Sequence, residues 1–507
     1  MTNSNRVIFN TLVLYAKMGI TMIISLYSVR LVLASLGTVD YGIFNVIMGV
    51  VSMLSFLNAA LTVSTQRYLS FYQGKKDFTK LIKIFNHSFY LHAVLGLGLV
   101  LLLELFGGYI LNHYLTIPAD RMDTAQIVFH LASLAIFFTF ISVPYTASIN
   151  ANERMIFIAL VTILESVEKL LLAIYLTYMK GDCLLVYGIG MGLITVLSFV
   201  MYFIICMSRF DECKHFTLRG IDGRLLKELG GFASWNLVGS ITAMSKNQGL
   251  SVLFNIFRGP AVNAAYAVAN QVSAQLNFFS MTMMRSINPQ IMKSEGAGDH
   301  ERMLKLSSIA CKYGFLLLAF FSIPCIFEMP KILQLWLKDV PQYSSNFCVM
   351  ILLAMLFDQL TVGINSAFQA CKFVKESSIY VGAVKLLILP LGYLLLKQGW
   401  SVYYVVGIYA LVELTAGFVR IILAKVLMDY SILYYIRNVI CRILPPVVLT
   451  CAICLLVTVM TDASYRIVVT LLVSTMTFTV SSYYLALPSA ERSYFRVLIK
   501  EKVLRHG

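Results

Sequence analysis

The sequence predicts an all-α polytopic membrane protein with about 14 transmembrane helices. Three observations carry this prediction. Of 507 residues, 59% are hydrophobic. Only 13% are charged, against roughly a quarter in soluble globular chains. The mean hydropathy is +0.79. Apolar runs near the roughly 20 residues that cross a bilayer recur along the whole length, leaving no room for a large soluble domain.

The opening MTNSNRVIFN leads into an apolar segment with no small-residue cleavage site, so 10–34 reads as a first span rather than a removed signal peptide. Further spans are expected at 43–65, 87–111, 125–148, 157–178 and 185–207, then at 231–257, 266–289, 313–329, 346–370, 379–396 and 402–426. The last two are expected at 443–461 and 467–487. The segments 231–257 and 266–289 are the most polar of these. Pro144, Pro324 and Pro390 fall inside spans, where a missing amide and a bulky ring kink helices.

An internal repeat organises the spans. Gly74-Lys-Lys-Asp77-Phe-Thr-Lys80-Leu-Ile-Lys83-Ile84 matches Gly296-Ala-Gly-Asp299-His-Glu-Arg302-Met-Leu-Lys305-Leu306 at an offset of 222. A weaker match sets Ser148-Ile-Asn150-Ala151-Asn-Glu153 beside Ala367-Phe-Gln369-Ala370-Cys-Lys372 at an offset of 219. Both point to two six-helix lobes in parallel orientation plus two C-terminal helices. The domains expected are an N-terminal lobe over 1–207, a cytoplasmic linker over 208–230, a C-terminal lobe over 231–426, and two further spans with a basic tail over 427–507.

A net charge of +15 would suggest nucleic acid in a soluble protein, but its placement gives another account. With the N-terminus inside, 27 of the 40 Lys and Arg fall in inner segments, 7 in outer segments and 6 within spans. The positive-inside rule then places both termini in the cytoplasm and makes nucleic acid unnecessary. Trp235, Trp336 and Trp400 fall at expected span ends, where indoles favour the lipid interface. Ten cysteines are scattered singly and imply no disulfide framework. The C-x-x-C of Cys451 and Cys454 lies in an apolar run and reads as inert thiols.

Cofactor and catalytic signals are absent. No phosphate-loop motif occurs, the seven histidines show no metal-ligand spacing, and no nucleophile or carboxylate pair stands out. The cluster Gly188-Ile-Gly190-Met-Gly192 reads as close helix packing. No enzymatic activity, cofactor or metal is therefore expected.

Charged residues inside spans are the candidates for function, since each costs roughly 2.5–3.5 kcal/mol to insert unless it meets a partner or a hydrated cavity. Lys17 shares a stripe with Thr21 and Ser28 on the first span. Lys246 aligns with Thr242, Gly239 and Trp235 on the seventh, beside Asn247 and Gln248. Lining of a basic cavity between the lobes and local neutralisation both account for these lysines. Glu165, Glu168 and Lys169 on the fifth span fit either a helical ion pair or proton coupling. Asp358 with Gln359, Lys385, and Glu413 with Arg420 are further candidates, and Arg285 stands before Asn288-Pro289 near an inner span end.

The junction Arg30-Leu-Val-Leu-Ala-Ser-Leu36-Gly37-Thr-Val-Asp40-Tyr41-Gly42-Ile43-Phe44 resembles that of polysaccharide exporters, the Wzx-type flippases, although six residues separate Arg30 from Gly37. Locally, Gly37 and Gly42 free the backbone to turn. The resemblance extends over nearly the whole chain, and it places the protein in the superfamily that includes MATE-type multidrug exporters and lipid II flippases, with a MATE-like fold. It implies a bacterial cytoplasmic membrane protein that moves polyprenyl-diphosphate-linked oligosaccharide to the outer leaflet for surface polysaccharide such as lipopolysaccharide O-antigen. Lys17, Arg30, Lys246 and Arg285 would contact the diphosphate or acidic sugars. Other implied partners are membrane lipid, polysaccharide polymerase proteins and a coupling proton or sodium ion. A cation-coupled drug exporter usually carries an acidic residue in its first span, where this chain has Lys17 and Arg30. A membrane glycan polymerase would be expected to have a large outer loop, whereas the longest outer segment here is about sixteen residues, Met329–Ser344.

Overall fold

The computed structural model describes residues 3–52, 55–113, 117–215, 222–337, 340–460, 465–488 and 492–493. The basic tail expected at the C-terminus lies outside them from 494 onward. Among the described residues the chain is helical, with no strand. In order, the helices are α1 (Asn3–Ser52), α2 (Ser55–Gly74), α3 (Phe78–His113), α4 (Met122–Ala151), α5 (Met155–Tyr178), α6 (Cys183–Arg209), α7 (Asp211–Lys214), α8 (Gly223–Arg258) and α9 (Pro260–Gly296). They continue as α10 (His300–Trp336), α11 (Ser344–Gln359), α12 (Val362–Ala370), α13 (Val374–Leu386), α14 (Ile388–Lys397), α15 (Val402–Met428), α16 (Ile432–Tyr435), α17 (Cys441–Met460) and α18 (Arg466–Ser481).

Two compact units form. One comprises Met1–Ile241 with Asn288–His300, and the other Thr242–Ile287 with Glu301–Gly507. The division therefore passes through α8 and α9 rather than through a separate linker at 208–230, and the last two long helices belong to the second unit.

Nine described helices are long and apolar enough to cross a membrane, and the bent pair α11 and α12 would make ten. The remaining spans expected from sequence are helical but differ in composition. α5 carries three charges, α8 and α9 are rich in Gly, Ser, Asn and Gln, and 43–65 is shared between α1 and α2. α1 is two helices merged across a kink at Gly37, whose φ of 74° and ψ of 176° lie outside the region open to residues with a Cβ. The junction thus turns where its glycine allows. Pro390 stands four residues past Leu386, where α13 stops, because its ring clashes with that carbonyl. Pro144 and Pro324 sit within unbroken helices.

The repeat is visible in the backbone. After α2, the amides of Lys75, Lys76 and Asp77 donate to the carbonyls of Phe71, Gln73 and Tyr72. After α9, the amides of Ala297, Gly298 and Asp299 donate to Lys293, Glu295 and Ser294, each pair displaced by 222. Lys76 and Gly298 occupy the same left-handed position, with φ of 59° and 78°. At an offset of 219, Asn152, Glu153 and Arg154 donate to Ser148, Asn150 and Ile149, just as Cys371, Lys372 and Phe373 donate to Ala367, Gln369 and Phe368. Glu153 and Lys372 are again left-handed, with φ of 56° and 66°. These are Schellman-type helix ends, which return orphan carbonyls to the chain.

Glycines set the closest helix approaches. A Cβ on Gly74 would lie 2.1 Å from the Lys293 carbonyl oxygen, and one on Gly296 would lie 1.9 Å from the Phe71 carbonyl oxygen. Since 71 and 293 are repeat partners, as are 74 and 296, this crossing of α2 and α9 is reciprocal. Gly188 meets Val128 and Gly190 meets Leu172 in close packing, as the glycine cluster suggested, while Gly192 faces open space.

Two substitutions test the repeat-related helix ends. Lys76→Gly relieves a left-handed lysine and should stabilise the protein by about 1 kcal/mol, whereas Gly298→Ala should destabilise it by a similar amount. Thermal unfolding of purified protein reads both, and shifts of the same sign would refute the equivalence.

Candidate functional site

The second unit buries a cluster of charges carried by four helices. Lys246 of α8 is 7% exposed, Glu413 of α15 only 2%. The Lys246 ammonium donates to the Glu413 carboxylate and, at 3.1 Å, to the Tyr409 hydroxyl, and it also lies over the Tyr409 ring. Lys385 of α13 bridges both acids, 2.8 Å from Asp358 Oδ1 and 2.8 Å from Glu413 Oε2. Arg420, about two turns from Glu413 on the same face of α15, reaches Asp358 Oδ1 at 3.3 Å and Thr361 Oγ1 at 2.6 Å. Three cations against two carboxylates leave this cluster with one net positive charge. Burial of that many charges is tolerable only because each meets an opposite charge at hydrogen-bond distance.

The break between α11 and α12 serves the cluster. These helices meet at a 40° bend, and the polar groups freed there find side-chain partners. The Tyr435 hydroxyl donates to the Leu360 carbonyl at 2.8 Å, and Arg420 holds Thr361. Asp358 sits in the last turn before the bend, where α11 can present it to both Lys385 and Arg420.

A polar cavity of about 510 Å³ opens in the same unit. Its lining includes Asn247, Gln248, Ser251, Asn270, Ser273 and Asn277, from the two helices that are too polar to score as spans. None of its described lining residues is charged. It shares α8 and α11 with the charge cluster: Asn247 and Gln248 directly follow Lys246, and the lining residue Met355 is one turn from Asp358.

The first unit has a cavity of a different character, about 310 Å³, lined by hydroxyls of Thr62, Thr139, Ser142, Thr146, Thr195 and Tyr202 and by Glu165. Glu165 pairs with Lys169 at 2.6 Å, one turn away on α5, as the spacing suggested. Glu168 stands beside them.

Elsewhere in that unit, Arg121 joins the turns at one end of the helices. It donates to Asp40 through Nε at 2.8 Å and to Asp182 through Nη2 at 3.1 Å. Asp182 also caps α6, accepting from the Leu185 amide at 3.1 Å and from the Thr124 hydroxyl at 2.8 Å. Burial alone would raise the Asp182 carboxyl, but those hydrogen bonds and the Arg121 guanidinium outweigh it and hold the group below its usual range. Glu153, in its left-handed turn, accepts from Lys293 at 2.8 Å, while its carbonyl accepts from Asn10 at 2.9 Å.

The structure thus brings Lys246, Asp358 and Glu413 into one cluster and Glu165 into a cavity. Lys17 is half-buried, while Arg30 and Arg285 are exposed. Lys246 is neutralised rather than alone in an opening. Several features had no signal in the sequence. Glu328 of α10, 1% exposed, is held by Arg466 at 3.0 Å and Thr470 at 2.8 Å, which ties α18 to α10. Arg67 lies buried over the rings of Tyr68 and Phe71, at 4.6 Å from each. The carboxamide cavity gave only the weak signal of polar runs in long helices.

No protein-family model and no curated protein sequence matches the chain. Solved structures do match in fold. An outward-facing multidrug-resistance MATE-family transporter of the MOP superfamily aligns with a TM-score of 0.73 at 13% identity, covering 84% of this chain and 96% of that one. A MOP-superfamily transporter from Pyrococcus furiosus, reported with a binding pocket of reverse polarity, aligns with a TM-score of 0.72 at 13% identity, over 84% of this chain and 96% of that one. The MATE transporter ClbM in complex with Rb⁺ aligns with a TM-score of 0.70 at 13% identity, over 86% and 96%. The chain therefore has a MATE-like fold, with nine described helices long and apolar enough to cross a membrane.

Two outcomes follow from this geometry. Glu413→Gln strips the shared partner from two buried lysines and should cost about 3–5 kcal/mol, read as a large drop in unfolding temperature; an unchanged temperature would mean that water screens the cluster. Asp182→Asn should lower the unfolding temperature at neutral pH. Because the native carboxyl titrates below its unfolded value, its contribution is present above that value and fades as pH falls toward the native one. The difference between wild type and variant should therefore shrink in acid, and a difference that grows in acid would contradict this.

Proposed function

We propose that the protein is a flippase that moves polyprenyl-diphosphate-linked oligosaccharide from the inner to the outer leaflet of a bacterial cytoplasmic membrane, with both termini in the cytoplasm. The observation that carries this reading is the buried cluster of Lys246, Lys385 and Arg420, which holds more cations than its two carboxylates balance. A diphosphate offers several anionic oxygens and can displace Asp358 and Glu413 from these cations. Arg420 can chelate phosphate through two parallel N–H donors, and the lysines contribute point charges. Because each cation in the cluster already faces a carboxylate, the ligand exchanges one set of anions for another instead of entering a bare positive field. The MATE-like fold supports membrane transport in general.

No covalent bond changes in such a cycle, so neither catalytic residue nor cofactor is required. The product at the outer face is a substrate for polysaccharide polymerase proteins. Glu165, set among hydroxyls in the first unit, supplies a carboxylate that can take up a proton or a sodium ion and so link transport to a gradient.

That same carboxylate favours a second reading, a cation-coupled exporter of organic cations, which the fold accommodates equally. Against it stands the first helix, Phe9–Gly37, which contains no Asp or Glu. A lipid II flippase would use the same cluster with a different sugar.

Deletion of the gene followed by isotope-labelled lipid extraction separates these readings. The expected result is accumulation of an undecaprenol-linked repeat unit on the inner leaflet with loss of surface glycan. Unchanged surface glycan with no accumulated lipid would overturn the proposal, and a gain in drug sensitivity alone would favour the exporter. Within the same cells, Lys246→Gln should lower surface glycan with protein level unchanged, while Lys246→Arg should retain most of it.

A further inference from the structure

The cavity of about 510 Å³ in the second unit is out of keeping with its place in a membrane protein. Carboxamides are costly to bring into hydrocarbon unless they are hydrogen-bonded. Yet the side chains of Asn247, Gln248 and Asn277 line this space with no hydrogen-bond partner among the described residues, while Asn247 and Gln248 are exposed to it. Ser251, Asn270 and Ser273 add further polar groups, and Ala267, Ala274 and Met355 supply apolar surface between them.

The chemistry of that wall selects a class of ligand. Each carboxamide offers an acceptor oxygen and two N–H donors, the pattern that matches a ring hydroxyl or an acetamido group, both of which donate and accept. Among the described lining residues, no carboxylate is present to favour an organic cation, and no Lys or Arg to favour a phosphate. Tyr266 lies almost wholly buried, its ring packed edge-on to Phe254, so no broad aromatic face is offered for a flat drug. The volume falls within the range of roughly 300–1,000 Å³ typical of small-molecule sites.

We propose that this cavity is a saccharide-binding subsite in which Asn247, Gln248 and Asn277 hydrogen-bond the hydroxyl or acetamido groups of neutral sugar rings. The inference rests on the transport reading above and gives it a division of labour. The charge cluster takes the diphosphate, and the carboxamides, beginning one residue after Lys246, take the adjoining rings. Recognition of the sugar is then separable from recognition of the anion.

The test uses full-length protein in lipid nanodiscs and three probes: the lipid-linked glycan extracted from the deletion strain, the free glycan released from it by mild acid, and polyprenyl diphosphate without sugar. In the double variant Asn247→Leu with Gln248→Met, side-chain volume is kept and hydrogen bonding is lost. Affinity for the free glycan should fall by about tenfold or more, as expected for two or so lost hydrogen bonds. Affinity for polyprenyl diphosphate should stay within about twofold of wild type, which also reports that the variant is folded. Lys246→Gln should show the opposite pattern. Unchanged glycan affinity in the double variant would overturn the subsite while leaving the transport reading intact. Equal binding of polyprenyl diphosphate and the complete lipid-linked glycan by wild type would overturn it as well. If the deletion strain yields no lipid-linked glycan, the transport reading fails first, and this inference with it.

Discussion

Hydrocarbon offers no water to an amide or a charge, so each polar group on these helices has to find a protein partner or a hydrated space. The second unit meets that constraint with a cross-helix ion cluster. Lys246, Lys385, Glu413, Asp358 and Arg420 come from α8, α11, α13 and α15, and none could be buried singly. The bend at Leu360 and Thr361 belongs to the same solution, because Tyr435 takes up the Leu360 carbonyl there and Arg420 binds the Thr361 hydroxyl. Glu328 with Arg466 and Thr470 repeats the arrangement at the C-terminal helices. In the first unit, Ser148 and Asn152 do so for the buried carboxylate of Glu212, donating at 2.6 and 2.7 Å.

Much of the architecture was legible because it is written in local rules. Hydropathy located the long apolar helices, Gly37 marked the kink in α1, and two short matches at offsets of 222 and 219 marked turns that share their hydrogen bonds and their left-handed residues. The candidate charges were legible as misfits in apolar runs, and the Glu165 and Lys169 pair followed from helical spacing. Long-range pairing was not. Lys246 gave no sign of choosing Glu413, 167 residues away, because an ion pair between distant helices leaves no mark on sequence spacing. The same holds for Arg121 bridging Asp40 and Asp182. α8 and α9 stand out poorly as spans for the very reason that makes them interesting: several of their Asn and Gln side chains line a cavity.

The two units share a repeat and differ in what they enclose. One cavity gathers hydroxyls around a carboxylate, a set of hard oxygen donors suited to a proton or a small cation. The other gathers neutral carboxamides above a cationic cluster, suited to something both hydroxylated and anionic. A duplicated framework has thus been filled with side chains of different chemistry in its two halves.

The meeting of Gly74 with Lys293 and of Gly296 with Phe71 has a consequence of its own. Each helix end lends the other both its bare glycine and its carbonyl, so neither contact can be lost while its counterpart persists without the two backbones shearing apart. The ends of α2 and α9 must therefore engage or part in a single concerted event, like a clasp whose hook and eye are cut from the same pattern.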